Sequence, residues 1–239
     1  MEGRGEELYD ALQFDGLTDP DTILDAIEDG FRDAGATHFL ASGFPLPGRP
    51  IEPLVLRVNW GDLQSDKSQS LAGLTGNDPL LRVALGLHRS VTDTASGLLD
   101  GQVRESLLVT SAGVGGSDQF VVVPIKGPVP YQAAIVATGR EFCPNGYRLG
   151  LLDFFCVAGI RRLITVKAVE TNRPGGLTLR ERRVVELSAL GLTAQEIADQ
   201  LRISQRTVHA HLQNASTKLM AGNKTQTVVE ALRYGQIAI

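Results

Sequence analysis

The stretch ISQRTVHAHLQNASTKL, residues 203–219, carries Val208, Leu212, Ala215 and Leu219 at spacings of four, three and four. At 100° per residue these positions fall within about 60° of one another, the stripe of a helix that buries one side. Arg206, Ala210, Gln213 and Thr217 lie opposite, with His209 on the shoulder. A helix that only had to stay in solution would more usually carry Glu and Lys there. This one carries hydrogen-bonding groups and a small residue and no acid, the composition of a surface that reads something.

The segments around it extend the pattern. TLRERRVVELSALG (178–191) opens with Thr178 and Glu181 at capping-box spacing and closes on Gly191. TAQEIADQLR (193–202) repeats the device with Thr193 and Glu196, and Ile197, Ala198 and Leu201 form its buried stripe. After a turn at Arg202 and Ile203, Ser204 is placed to cap the quoted helix. NKTQTVVEALRYG (223–235) reads as a fourth helix, capped by Asn223, with Val228, Val229 and Leu232 inward. Two helices, a tight turn and a longer second helix make a helix-turn-helix within a four-helix domain, residues 177–239. The segment ETNRPGG (170–176) is a linker, since its proline and paired glycines cannot continue a helix.

Charge divides at the same place. Residues 171–239 hold nine Lys/Arg against five Asp/Glu, whereas residues 1–170 hold fourteen against twenty-two. An acidic body with a basic end is the asymmetry expected when one end meets phosphates. The longest apolar run, FFCVAGI, has seven residues, far short of the roughly 20 a membrane helix needs. MEGRGEELYD has no apolar signal-peptide core, so a cytoplasmic protein with no membrane partner is expected. Cys143 and Cys156 form no framework, and His38, His88, His209 and His211 stand at no catalytic or metal-ligand spacing. No enzyme activity, cofactor or metal is expected.

Residues 1–169 read as one mixed domain. DTILDAIEDGFRDAG (21–35), DPLLRVALGLHR (78–89), LLDGQVRESLLV (98–109) and the long NGYRLGLLDFFCVAGIRRLITVKAV (145–169) have helical patterning. THFLASGF (37–44), PLVLRVNW (53–60), QFVVVPI (119–125) and YQAAIVATG (131–139) read as strands. Helices flanking a mostly antiparallel sheet give an α/β/α sandwich, and the whole chain an α+β protein.

The C-terminal region resembles the LuxR-type DNA-binding domain through LTLRE (177–181), Gly191-Leu192-Thr193, Glu196-Ile197-Ala198, Leu201, Ile203-Ser204, Thr207-Val208, His211, Lys218-Leu219 and NKTQTVVEAL (223–232). The resemblance implies a sequence-specific transcription regulator of double-stranded DNA. His209, Ala210 and Gln213 match the positions that meet base edges in that family, often as Arg or Lys. Gln213 could bridge adenine N6 and N7, His209 donate to a purine acceptor, and Ala210 meet a thymine methyl. Ser204, Arg206, Thr207, Lys218 and Lys224 are cast as phosphate anchors, and His211 as a packing residue. A homodimer is expected, because one such domain covers a half-site. The helix over 145–168 either supplies part of that interface or packs on its own sheet.

The first domain, through NW…NDPLL (59–81), is similar to the autoinducer-binding domain of quorum-sensing LuxR regulators. Asp78-Pro79 matches the family's Asp-Pro, whose aspartate accepts the amide proton of an acyl-homoserine lactone. The family's tyrosine nine residues earlier and tryptophan thirteen earlier are Gln69 and Ser65 here, and its tryptophan fifteen later is Asp93. Trp60 could take the tryptophan's part after an insertion, but no tyrosine lies between Tyr9 and Tyr131. Trp60, Gln69 and Asp78 are thus the candidate ligand pocket, while an Asp before Pro is equally a helix N-cap. The resemblance then implies an orphan regulator that does not use the lactone in the usual way. The alternatives are a protein that pairs with a lactone-responsive relative and silences it, and a phosphorylation-driven regulator, for which the acidic pair of a receiver domain is missing.

Overall fold

Asp19 starts the first helix, α1 (Pro20–Asp33): its carboxylate accepts the Thr22 N–H at 2.9 Å, and Pro20 fills a position that needs no amide hydrogen. Ile23, Leu24, Ile27 and Phe31 form its buried stripe. The structure, a computed structural model, describes residues 13–59, 74–92, 97, 101–106, 119–126, 132–169 and 175–239. The chain divides into two compact units, residues 1–171 and 172–239.

The first unit is built on β1 (His38–Gly43), β2 (Val55–Asn59), β3 (Val91–Thr92), β4 (Gln119–Ile125) and β5 (Ala133–Gly139). They pair in the order β2-β1-β5-β4-β3, antiparallel throughout. Side-chain alternation separates two faces. Phe39, Ala41, Val121, Val123, Ile135 and Ala137 share a core with α1 and with α4 (Gly146–Thr165). Leu40, Val122 and Val136 point the other way and are buried as well. On that side α2 (Pro79–Gly86), which contacts β4 and β5, buries Leu80, Leu81, Ala84 and Leu85. The result is an α/β/α sandwich. The helix expected over 98–109 is described only as α3 (Gly101–Arg104), and the two-residue β3 is too short to leave a pattern in sequence.

The second unit holds α5 (Leu179–Ala189), α6 (Ala194–Leu201), α7 (Gln205–Lys218) and α8 (Lys224–Arg233). Val184, Leu187, Ile197, Ala198 and Val208 form one cluster, and Leu177, Val185, Ala215, Leu219, Ala231 and Ile237 a second. One expectation is corrected: Val229 is 44% exposed. Val228 and Leu232 pack inward one turn apart, and Val229, rotated by 100° from Val228, leaves the inner positions to Thr227, Glu230 and Ala231. Among the described residues no helix is long and apolar enough to cross a membrane.

Close contact between α1 and α4 depends on Gly159. A Cβ there would lie 2.5 Å from Ile27 Cδ1 and 2.7 Å from its Cγ1. Overpacking costs about 1–3 kcal/mol and the helix-propensity gain is about 1 kcal/mol. Since Ile27 is fully buried, the clash wins. Gly159→Ala is expected to lower stability by about 1 kcal/mol in urea unfolding. Gly150→Ala, on the same helix with nothing within 4 Å, is expected to raise it by up to about 1 kcal/mol. Equal effects of the two variants would refute the close-packing account.

Candidate nucleic-acid interface

Each helix of the second unit is started by the side chain its sequence supplies. Thr178 N–H donates to Glu181 Oε2 at 2.8 Å, and Glu181 N–H returns to Thr178 Oγ1 at 3.3 Å. Thr193 and Glu196 repeat this at 2.7 and 3.3 Å. The Thr193 N–H and hydroxyl hold the Glu196 carboxyl below its ordinary value. Arg202 adopts the left-handed conformation, φ 55° and ψ 49°, which ends α6 and turns the chain. Ser204 Oγ accepts the Thr207 N–H at 3.0 Å and starts α7, and Asn223 Oδ1 accepts the Gln226 N–H at 2.8 Å and starts α8.

This framework sets the orientation of α7. Val208, Ala215 and Leu219 are fully buried, and Leu212 touches both clusters. Arg206, His209, Ala210, Gln213 and Thr217 are exposed together, and His211 is half-buried on the flank. Ser204 and Thr207 lie at the start of this face with their hydroxyls 2.8 Å apart. Lys224 is exposed at the start of α8, its ammonium 3.3 Å from the Leu192 carbonyl.

Lys218 has a different setting. Its Nζ donates to Glu181 Oε2 at 2.8 Å and lies 3.4 Å from the Gly176 carbonyl. Glu181 is only 5% exposed. Burial alone would raise its carboxyl pKa, but the Lys218 hydrogen bond and those from Thr178 outweigh this and hold it below the ordinary value. One carboxylate thereby joins the start of α5 to the last turn of α7. Sequence reasoning missed this tie, because the capping-box spacing already gave Glu181 a complete role.

In the first unit Asp78 caps α2: Oδ1 accepts the N–H groups of Leu80 and Leu81 at 3.0 and 3.1 Å. The Ser106 hydroxyl reaches both carboxylate oxygens, at 3.0 and 2.9 Å. Trp60 and Gln69, like Ser65 and Asp93, lie outside the described residues.

The family model of bacterial regulatory proteins, luxR family, matches residues 176–231. The spore germination protein GerE of Bacillus subtilis is 46% identical over 63 residues, which cover 26% of this chain and 85% of that protein. The chain belongs to the luxR family of bacterial regulatory proteins. The transcriptional activator protein BjaR1 of Bradyrhizobium diazoefficiens is 28% identical over 222 residues, 88% of this chain and 87% of that one. The two-domain fold is shared with SdiA, solved in complex with octanoyl-rac-glycerol, at a TM-score of 0.60 and 20% identity, over 100% of this chain and 98% of that one. This LuxR-family chain is a transcriptional regulator whose helix-turn-helix binds DNA.

The depressed Glu181 carboxyl ties the regulator's stability to pH. A group whose folded pKa lies below its unfolded value stabilises the fold above the unfolded value, 4.5 here. That contribution is lost as pH falls through the folded pKa. Stability of the second unit is therefore expected to fall below about pH 4.5, and Glu181→Gln is expected to make that step smaller, removing the share of the Lys218 ion pair and leaving the share of Glu196. An unchanged pH profile in Glu181→Gln, followed by thermal unfolding, would dissociate Glu181 from this tie.

Proposed function

We propose that this regulator binds a dyad-symmetric DNA site as a homodimer, and that it does so without an acyl-homoserine lactone seated on Asp78. The observation that carries the second part is the carboxylate's engagement within the fold. Asp78 is 8% exposed, and its oxygens already accept two backbone N–H groups and the Ser106 hydroxyl. An amide ligand would have to share Oδ2 with that hydroxyl inside a site that is already buried. Gln69 and Ser65, at the positions of the family's tyrosine and tryptophan, remove two further ligand contacts. SdiA, of the same fold, was solved with an acyl glycerol, which has no amide hydrogen to donate.

On the DNA, His209, Ala210 and Gln213 are the base-reading residues, because they lie on the N-terminal exposed face of the helix that enters the major groove. Ser204, Arg206, Thr207 and Lys224 anchor phosphates. Lys218, engaged by Glu181, serves to hold α7 in place. One half-site offers few contacts, so two copies are needed. Tyr147 and Phe154, 49% and 48% exposed on the long helix α4, are the natural apolar part of a dimer face.

Purified without added lactone, the full chain is expected to size as a dimer and to select a dyad-symmetric site. DNA binding that appears only after a lactone or octanoyl glycerol is added would overturn ligand independence. Binding only in a mixture with a second LuxR-type regulator would replace the homodimer with a heterodimer.

Gln213→Ala is expected to relax preference at one base pair, by about 1–3 kcal/mol, with the salt slope nearly unchanged. Arg206→Ala is expected to weaken binding to every sequence and to lower the salt slope by about one. Titrations at several salt concentrations on matched and scrambled sites separate the two, and an exchange of the two patterns would reverse the roles.

A further inference from the structure

Gln205, the first residue of α7, donates from Nε2 to Oε1 of Gln195 in α6 at 2.5 Å. Gln195 in turn donates from its own Nε2 to Oδ1 of Asp199, four residues on, at 2.7 Å. All three residues are exposed. Their hydrogen bonds run in one direction. An ionised carboxylate only accepts, so Asp199 determines which end of the Gln195 amide faces it. The carbonyl end of Gln195 is left facing Gln205, and this determines the orientation of the second amide. Gln205 is then left with its carbonyl oxygen and one N–H.

With the trans hydrogen given to Gln195, the carbonyl and the N–H cis to it would complement the major-groove edge of adenine, which offers the N6 hydrogen and the N7 acceptor. Gln205 stands one turn before His209, at the end of the recognition helix whose residues meet base edges. An amide held in one orientation before binding avoids losing rotamer freedom on the DNA. We infer that Gln205 is a further base-reading residue of this regulator, set for adenine by Gln195 and Asp199, which act as positioning residues and touch no base. The inference rests on the reading of α7 as the helix that enters the groove.

Site selection from a random duplex library, with the full chain and its variants, tests this. Wild type is expected to prefer A·T at a base pair separate from those relaxed by Gln213→Ala. Gln205→Ala is expected to reduce that preference about tenfold or more and to leave the other positions intact. Asp199→Asn frees the Gln195 amide to turn over. It is expected to reduce the same preference several-fold, a change at one base pair that a merely structural role would not produce, while removal of an acid raises affinity for all DNA alike. Equal weakening of Gln205→Ala on every sequence, with a lower salt slope, would make Gln205 a phosphate contact and overturn the inference. No change at all would reduce the three residues to a solvated surface network. If wild type selects no sequence, the reading of α7 fails as well. If Gln213→Ala relaxes a position and Gln205→Ala does not, only the present inference falls.

Discussion

Val208, Ala215 and Leu219 are fully buried on one stripe of a fourteen-residue helix, and most of what the second unit offers to DNA follows from that burial. Helices of eight to fourteen residues are marginal by themselves, so packing and capping have to supply their order. Each of the four has a side-chain cap, and the two capping boxes begin the helices on which α7 rests. The Glu181–Lys218 pair adds a tie at the far end of α7, where the apolar stripe runs out. With one side of α7 spent on the core and its last turn pinned, the residues on its outer face have a single direction in which to point.

That outer face separates two kinds of work. Arg206 and Lys224 bring charge, which attracts any phosphate backbone and is weakened by salt. In the proposed reading, His209, Gln213 and Gln205 bring directional hydrogen-bonding groups, whose value depends on which base edge stands opposite. The unit's modest excess of basic residues, nine against five, leaves discrimination to hydrogen-bond geometry rather than to charge. Such geometry needs a rigid support. The chain from Gln205 through Gln195 to Asp199 extends that support outward, from the buried stripe to the side chains themselves.

The first unit uses its polar groups inwardly. The three central strands of its sheet are buried on both faces, and α1 and α4 approach closely enough to require Gly159. Asp78 sits at the start of α2, where its carboxylate does a capping residue's work and also receives Ser106. Asp78 is thereby part of the fold's own hydrogen bonding. The helix α7 draws its order from the caps and clusters of its own unit.

Local hydrogen bonds were legible in the sequence, because their geometry is set by spacing along one chain direction. Thr178 with Glu181, Thr193 with Glu196, Ser204, Asn223 and the Asp78–Pro79 cap each join residues two or three apart, and the 3.6-residue period separated the buried from the exposed side of α7. The strands before and after KGPVP were readable for the same reason, from alternation and β-branched content. Val229 marks the limit of that reading, since it stands 100° from Val228 on the helix and Thr227, Glu230 and Ala231 take the inner positions. Lys218 meets Glu181 across 37 positions, Ser106 meets Asp78 across 28, and Gln205 meets Gln195 across ten. No periodicity encodes such partners, because they are chosen by which surfaces pack together. The sequence by itself determined the helices, their caps and the exposed face of α7; tertiary packing alone brought Lys218 to Glu181, Ser106 to Asp78 and Gln205 to Gln195, because each pair depends on neighbours brought close only by the burial of apolar side chains elsewhere.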